Sequence, residues 1–238
     1  AMPASCSPGR PHDPGFHHYH VHVGTTDREY ALYVPQAYAG GRTAFPVVVG
    51  APGTGSTPEQ FARASNVTGS AERFGYLAVI LRGEGDALNV EGDCHANPTR
   101  ADDVAYVSAV LDAVEGALCV DERAVHATGF SRGARFLCRL ASELSPRVAS
   151  VAPVSGVRFP RPNSAQRPVP VMAIHGLEDA TNPYRGGGKR YWRTGVLDAV
   201  DAWAEFNGCG SRTVAPLAAP AAGDLPPESV AEALRRGE

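Results

Sequence analysis

The sequence predicts an α/β fold in which helices cover both faces of a mostly parallel sheet. Several short, continuous apolar runs have the length and β-branched composition of buried strands. Stretches with helical periodicity separate these runs along the chain. Strands that alternate with helices pair in parallel, because each crossover returns the chain to the same end of the sheet. The 238 residues show no internal repeat and no linker before the tail, so we predict one domain over residues 1–238.

The first elements precede this alternation. Residues 1–15 are rich in proline and glycine and predict an extended lead-in. "HYHVHV" and "REYALYV" alternate on either side of the turn-forming "GTTD", which predicts a β-hairpin. "FPVVV" is the first predicted buried strand, and it enters the glycine-rich loop "GAPGTGST". A helix is predicted over 58–74, since Pro58 stands near its start and Gly75 follows its end.

The remaining elements complete the pattern. "YLAVILR" predicts a second buried strand, residues 83–99 a long polar loop, and "RADDVAYVSAVLDAVEGAL" an amphipathic helix opened by acidic residues. The strand "AVHATGF" leads to a helix over 132–145. Two further buried strands are predicted for "VASVAPVSG" and "VPVMAIHG", and a helix for "GVLDAVDAWAEFNG". The tail over 211–238 is rich in alanine and proline, with one short helix predicted in "PESVAEALRRG".

Composition and charge argue against several functional classes. Hydrophobic residues make up 43% of the chain and charged residues 20%, as in ordinary globular proteins. The formal net charge of −3 gives no reason to expect nucleic acid or an anionic membrane as a partner. No apolar run approaches the roughly 18 residues that span a bilayer. The start "AMPASCSPGRPHDPG" lacks the basic and apolar regions of a signal peptide, so we expect any leader to be absent from this chain.

The five cysteines are scattered, without the C-x-x-C spacing of zinc or redox sites. Scattered cysteines in an extracellular protein suggest disulfides, and an odd number leaves at least one thiol. Buried, reduced cysteines in a cytosolic enzyme are the alternative. We favour disulfides.

The pentapeptide Gly129-Phe-Ser-Arg-Gly133 stands between a predicted strand and a predicted helix. In that setting G-x-S-x-G predicts a strained turn that lifts the Ser131 hydroxyl above the sheet as a nucleophile. The helix that begins at Arg132 directs backbone N–H groups and its positive dipole end at the same place. The alternative is a glycine-bracketed turn with an ordinary capping serine. The strand-turn-helix context favours the nucleophile.

An acyl-transfer site also needs donors for an oxyanion and an acid that orients the base. The Arg132 N–H is one predicted donor, and Thr54, flanked by glycines after an early strand, is the candidate for the other. A flexible turn without this role is the alternative for Thr54. Asp179 follows a later strand and is the predicted acid, whereas His175 at the end of that strand is interpreted as a structural loop histidine.

Several separate motifs, in order, resemble one family. "CVDERAVHATGFSRG", "APVSG", "PVPVMAIHGLEDATNPYRGGG" and "AWAEFNGC" are similar to segments of the extracellular esterases grouped with polyhydroxybutyrate depolymerases and feruloyl esterases, over about 28–209. The resemblance implies an α/β-hydrolase fold, secretion, and serine-dependent hydrolysis of carboxylic esters by Ser131 with Asp179 as triad acid. The implied substrates are feruloylated plant polysaccharides, polyhydroxyalkanoates or synthetic polyesters. Arg132 is bulkier than the residue expected there, so we expect its side chain to narrow or charge the site mouth.

The histidine base is missing from this pattern. The resemblance implies that it follows one further strand after "NGC", yet the last histidine of the chain is His175. Three explanations stand: the chain stops before the last strand, the protein is a naturally degenerate member that binds esters or carbohydrate, or His95 in the long loop substitutes. We favour the first. We therefore expect no imidazole within reach of Ser131 and an open space beside Asp179.

Neither a metal nor another cofactor is predicted. His18, His20 and His22 alternate along the hairpin and could chelate a metal, but an exposed strand face is the commoner explanation. The expected partner is an ester substrate linked to a polymer. The expected state is a monomer with no nucleic-acid or membrane partner.

Overall fold

The computed structural model describes residues 5–38, 40–90 and 101–211. Chain contacts divide the protein into one unit of Ala1–Gly208 and a second of Cys209–Glu238. The second unit is described only over 209–211, and the fold is that of the first. No helix in the described ranges is long and apolar enough to cross a membrane. The strands and main helices are β1 Gly15–Val23, β2 Thr26–Val34, β3 Phe45–Ala51, α1 Pro58–Ser65, α2 Val67–Phe74, β4 Leu77–Leu81, α3 Asp103–Ala117, β5 Val120–Phe130, α4 Arg132–Glu143, β6 Ser150–Val154 and α5 Val196–Phe206.

Within the described ranges, six strands form one sheet in the order β1-β2-β4-β3-β5-β6. β1 pairs with β2 and β2 with β4 in antiparallel fashion. The other neighbours, β4 with β3, β3 with β5 and β5 with β6, are parallel. The predicted hairpin and the mostly parallel sheet are confirmed.

Alternate residues of β4 show how both faces of the sheet are covered. Leu77, Val79 and Leu81 lie in the larger core cluster, together with side chains of α3, α4 and α5. Ala78 and Ile80 lie in a smaller cluster with side chains of α1 and α2. All five are fully buried. Because successive strand residues point to opposite faces, a strand covered on both sides needs a continuous apolar run.

The helix predicted over 58–74 is confirmed at both ends, but it is interrupted at Asn66, so the structure has two helices there. Asn66 separates α1 from α2 with a left-handed φ of 50°. Asparagine tolerates this conformation better than most residues because its short polar side chain can hydrogen-bond locally. The break lets Phe61 of α1 and Val67 of α2 both pack into the cluster beside β4.

The buried strand predicted over 169–176 is wrong. The segment runs beside β6 and forms two isolated parallel bridges to it, through Val171 and Ile174. The side chains of Met172 and Ile174 are 66% and 46% exposed. Pro170 has no N–H for a ladder. Among the described residues only β6 flanks the segment, so these apolar side chains have no second strand to pack against.

The cysteines form one disulfide within the described ranges. Cys6 and Cys119 are joined, which ties the lead-in to the start of β5 and confirms the prediction of disulfide bonding for this pair. Cys138 is a buried thiol, and burial raises its pKa to about 11, so it is protonated at neutral pH. Cys209 is an exposed thiol. Cys94 lies outside the described residues.

Candidate functional site

Ser131 occupies the turn between β5 and α4. Its φ of 53° and ψ of −112° are strained for a residue with a Cβ atom. Its backbone N–H donates to the carbonyl of Val154, at the end of β6, over 2.9 Å. The serine is partly exposed. The predicted strand-to-helix elbow is confirmed, and strain of this kind is typical of functional sites.

Close approach of β3 explains both glycines of the motif. A Cβ atom at Gly133 would lie 2.0 Å from the Ala51 carbonyl oxygen, and one at Gly129 would lie 2.7 Å from the same atom. At Gly156, after β6, a Cβ atom would lie 2.4 Å from the Ser131 carbonyl oxygen. These distances are far inside van der Waals contact, so only glycine allows three strand ends to meet at the elbow.

The loop after β3 lies against the elbow. A Cβ atom at Gly53 would be 3.7 Å from the Ser131 Cβ, which places the loop backbone within van der Waals range of the serine. The Gly55 N–H donates to the Asp86 carbonyl over 2.8 Å and holds the loop. Thr54 is exposed between them, and no described residue accepts a hydrogen bond from its N–H. The role of this N–H as an oxyanion donor stays a prediction.

Arg132 is the first residue of α4, where a backbone N–H has no acceptor within the helix. Its side chain is buried, and Nε donates to the Leu88 carbonyl over 2.6 Å. The prediction that this side chain narrows or charges the site mouth is wrong. The Arg132 guanidinium points into the protein, where it donates to the carbonyl of Leu88 in the segment that follows β4.

Asp179 lies on the loop that leaves the 169–176 segment. Its Oδ1 accepts from the N–H groups of Thr181 and Asn182, each over 2.8 Å. Its Oδ2 lies 3.5 Å from Nε2 of His175. The two backbone donors fix the orientation of the carboxylate.

His175 is buried beside Asp179. Its side chain is 2% exposed, its Nε2 lies 2.8 Å from the Asn182 carbonyl oxygen, and its ring stacks on Trp192 with centroids 5.5 Å apart. The interpretation of His175 as a structural histidine agrees with this burial. The His175 ring lies beside the Asp179 carboxylate, and the open space expected between Asp179 and Ser131 stays a prediction.

Asn182 joins the acid loop to the elbow helix, and sequence reasoning missed it. The residue is 1% exposed. Its Nδ2 donates to the Ser155 carbonyl over 2.7 Å, and its Oδ1 lies 3.5 Å from Nη1 of Arg135 in the first turn of α4. Its own N–H is one of the donors to Asp179. Within "DATNPY" the only local signal is the following proline, which marks a turn.

Replacing Asn182 by alanine is expected to lower the free energy of unfolding by about 1–3 kcal/mol, because the Ser155 carbonyl loses its buried donor. Urea unfolding measures this change. Thr181→Ala is the matched control, since Thr181 is exposed and only its backbone contacts Asp179; its stability should change by no more than about 0.5 kcal/mol. An Asn182→Ala midpoint equal to that of the control would contradict the proposed link.

No imidazole in the described ranges is hydrogen-bonded to the Ser131 hydroxyl. His126 lies on β5 with its Nδ1 2.8 Å from the Ser150 hydroxyl. The His175 Nε2 is hydrogen-bonded to the Asn182 carbonyl oxygen. His95, the predicted substitute base, lies outside the described residues.

The alternating histidines of β1 are paired with carboxylates. His18 lies 2.8 Å from Glu29 and 3.2 Å from Glu59, and His20 lies 2.7 Å from Asp27. Across the described part of the chain, no group of three or more side chains has the arrangement to hold a metal ion. The alternation of His18, His20 and His22 therefore reflects an exposed strand face on which histidines contact carboxylates.

Comparison with known proteins places relatives of this chain among esterases. It is 33% identical over 138 residues to the esterase NocK of Nocardia uniformis, which covers 56% of this chain and 40% of that protein. It is 30% identical over 111 residues to feruloyl esterase C of Emericella nidulans, covering 47% of this chain and 38% of that protein. The chain is homologous to these esterases. No family model matches it.

The esterase relatives are longer than the aligned part of this chain. A further homologue, named feruloyl esterase C, of Aspergillus terreus is 25% identical over 191 residues, which are 79% of this chain and 64% of that protein. The chain thus spans between 38% and 64% of the length of these three relatives.

Solved structures agree on the fold. The crystal structure of a thermostable esterase matches with a TM-score of 0.64 at 16% identity, over 81% of this chain and 52% of that one. The structure of native pOPH matches with a TM-score of 0.59 at 17% identity, over 85% and 78%. The predicted α/β-hydrolase fold is confirmed.

Proposed function

We propose that the chain hydrolyses carboxylic esters with Ser131 as the nucleophile. The strained elbow beside the Arg132 N–H and the Thr54 loop carries this proposal. The Ser131 oxygen attacks the ester carbonyl carbon while its proton passes to a base, and the Thr54 and Arg132 N–H groups hold the oxyanion. The base then returns the proton to the departing alcohol. Water, deprotonated by the same base, releases the acid from Ser131.

Asp179 is the proposed acid of the triad. Its Oδ1 is occupied by two backbone donors, and the His175 Nε2 near Oδ2 donates to the Asn182 carbonyl. We therefore propose that Oδ2 orients the imidazole of the base and stabilises it when protonated. The base of the triad is not assigned to any described residue, and His95 is the candidate substitute within this chain. It follows β4, whose carboxyl end lies at the same sheet edge as Ser131, and loops at that edge can reach such a site.

The proposed substrates are esters carried by extracellular polymers, either feruloyl esters of plant polysaccharides or polyhydroxyalkanoates. Relatives named as feruloyl esterases support the first. Secretion is supported by the Cys6–Cys119 disulfide, because disulfides persist in oxidising compartments. Serine chemistry of this kind needs no metal or other cofactor. We propose a monomeric, single-domain enzyme.

The second candidate function is binding of esters or carbohydrate with little or no cleavage. One observation favours it: no described imidazole reaches the Ser131 hydroxyl. A serine without a base is a poor nucleophile. Retention of the strained elbow argues against it, since a protein that only binds has no use for the strain.

Covalent labelling with a fluorophosphonate separates the two functions. We expect slow labelling at Ser131, located by peptide mass spectrometry, and no labelling of Ser131→Ala. Ser155→Ala is the matched control, because Ser155 also has a positive φ, 50°, beside the end of the neighbouring strand, and it should label like the unchanged chain. Labelling at another serine would reject Ser131 as the nucleophile. No labelling of any variant would support the binding protein.

A further inference from the structure

A cavity of about 680 Å³ lies behind the elbow helix. Side chains of α4, of the segment after β6 and of the first turns of α5 enclose it. Ser131, Asp179 and Thr54 do not line it, so it is separate from the proposed ester-cleaving site. Its volume is within the range of small-molecule sites, about 300–1,000 Å³.

Arginine dominates the charge of this cavity. Of the residues that the structure describes, two carboxylates line it, Glu143 and Asp198. Glu143 is bound by Arg139 over 2.6 Å. No carboxylate of the described residues forms an ion pair with Arg158 or Arg161. The lining arginines are Arg135, Arg139, Arg158, Arg161, Arg190 and Arg193.

Arg158 lines the cavity, and one nitrogen of its side chain has no hydrogen-bond partner among the described residues. Its backbone is held at both ends, since its N–H donates to the Cys138 sulfur over 3.3 Å and its carbonyl accepts from Trp203 over 2.7 Å. Its Nη1 is buried and has no hydrogen-bond partner in the described chain. Arg158 is otherwise partly exposed, but a buried donor without an acceptor costs free energy that an anion bound there would recover. The fold therefore sustains a positive charge here that a ligand can neutralise.

Aromatic rings supply the other part of the cavity wall. The Arg135 guanidinium lies 4.4 Å from the centre of the Tyr191 ring, and that of Arg161 lies 5.5 Å from the Phe159 ring. Phe159 is itself held against Trp203, with ring centroids 5.2 Å apart. The cavity wall thus combines aromatic rings with planar guanidinium groups, and a flat ring can pack against either.

We propose that this cavity binds a carboxylate carried on a six-membered ring, with Arg158 and Arg161 as its charged partners. A guanidinium matches the planar geometry of a carboxylate with two parallel hydrogen bonds. The aromatic walls bind the ring. Inorganic phosphate is much smaller than the cavity and leaves those walls uncovered. The ring is either an aromatic acid or a uronic acid sugar, which share this chemistry.

Calorimetric titration of the 238-residue chain tests the proposal with four ligands and phosphate. Benzoate and glucuronate carry the carboxylate on an aromatic and a sugar ring, and benzamide and glucose are their neutral counterparts. We expect at least one carboxylate to bind about tenfold or more tightly than its neutral counterpart, the gain of a charge-assisted hydrogen bond. The carboxylate that binds more tightly identifies the source of the ring. Equal affinity for charged and neutral ligands, or phosphate bound as tightly as both carboxylates, overturns the proposal.

Substitutions locate the binding. Arg158→Gln and Arg161→Gln should each weaken carboxylate binding about tenfold, because each removes one charged donor. Arg161 is exposed, so Arg161→Gln keeps the test decisive if Arg158→Gln fails to fold. Arg123→Gln is the matched control, since Arg123 is exposed on β5 and does not line the cavity. Carboxylate affinity that is unchanged in Arg161→Gln and in folded Arg158→Gln overturns the assignment. None of these titrations depends on ester cleavage.

Discussion

The 238-residue chain is expected to hydrolyse p-nitrophenyl acetate only about 10³–10⁴ times faster than water does. That residual rate is what oxyanion donors and substrate binding supply when one member of a triad is missing. No described imidazole reaches Ser131. The members of a triad act as a unit, so removing a second member adds little further loss. The initial rate of Ser131→Ala should therefore lie close to that of the unchanged chain. His95→Ala should also leave the rate unchanged, because under this prediction His95 does not act as the base.

The rate in the presence of free imidazole distinguishes the unchanged chain from Ser131→Ala. The small base can take the proton that Ser131 must release, so the rate of the unchanged chain should rise with imidazole concentration. The Ser131→Ala rate, measured in the same buffers, gives the background reaction of imidazole with the ester. Initial rates typical of enzymes without imidazole would contradict this prediction. His95→Ala would then decide the base, because a loss of activity identifies His95 and an unchanged rate excludes it.

Replacing Arg28 by methionine is expected to lower the free energy of unfolding by about 3–5 kcal/mol at neutral pH. Arg28 Nη2 lies 2.5 Å from Oδ1 of Asp103, and the two side chains are 5% and 0% exposed. The Arg28 guanidinium also lies 4.1 Å from the centre of the Tyr106 ring. Without Arg28, the carboxylate of Asp103 at the start of α3 stays buried with its cation removed. Thermal or urea unfolding measures the loss.

The loss in Arg28→Met should shrink as the pH falls. Burial raises the pKa of Asp103, and the hydrogen bond from Arg28 opposes that rise. In the variant the opposing bond is gone, so the pKa of the folded state rises further above its unfolded value. A raised folded pKa adds stability that is fully present below the unfolded pKa and is lost as the pH rises through the folded pKa. The variant is thus expected to regain stability on acidification through that window.

Two further variants check the origin of the effect. Arg123→Met removes an arginine whose side chain is 78% exposed and paired with Asp121, so its unfolding midpoint should match that of the unchanged chain. Arg28→Met combined with Asp103→Leu removes both buried charges and should recover much of the stability that Arg28→Met loses. If Arg28→Met loses no more unfolding free energy than Arg123→Met, the Arg28–Asp103 ion pair does not stabilise the fold.

Elements whose signals are local in the chain were predictable. The five consecutive apolar residues of β4 are buried on both faces, and the glycines beside Ser131 bracket the elbow. The break at Asn66 was missed because helical periodicity continues across it. The exposure of Met172 and Ile174 was missed because it depends on which strands flank the 169–176 segment.

By itself the sequence determined the alternation of strands and helices, the serine elbow and the resemblance to esterases, because these depend on residues close together in the chain. Tertiary structure alone decided that Asn182 joins Asp179 to the elbow helix, that Arg132 turns inward to Leu88, and that arginines from distant segments line one cavity. Those outcomes depend on which buried polar atoms meet across the fold. A buried donor or acceptor must find a partner wherever packing provides one, and spacing along the chain does not specify that partner.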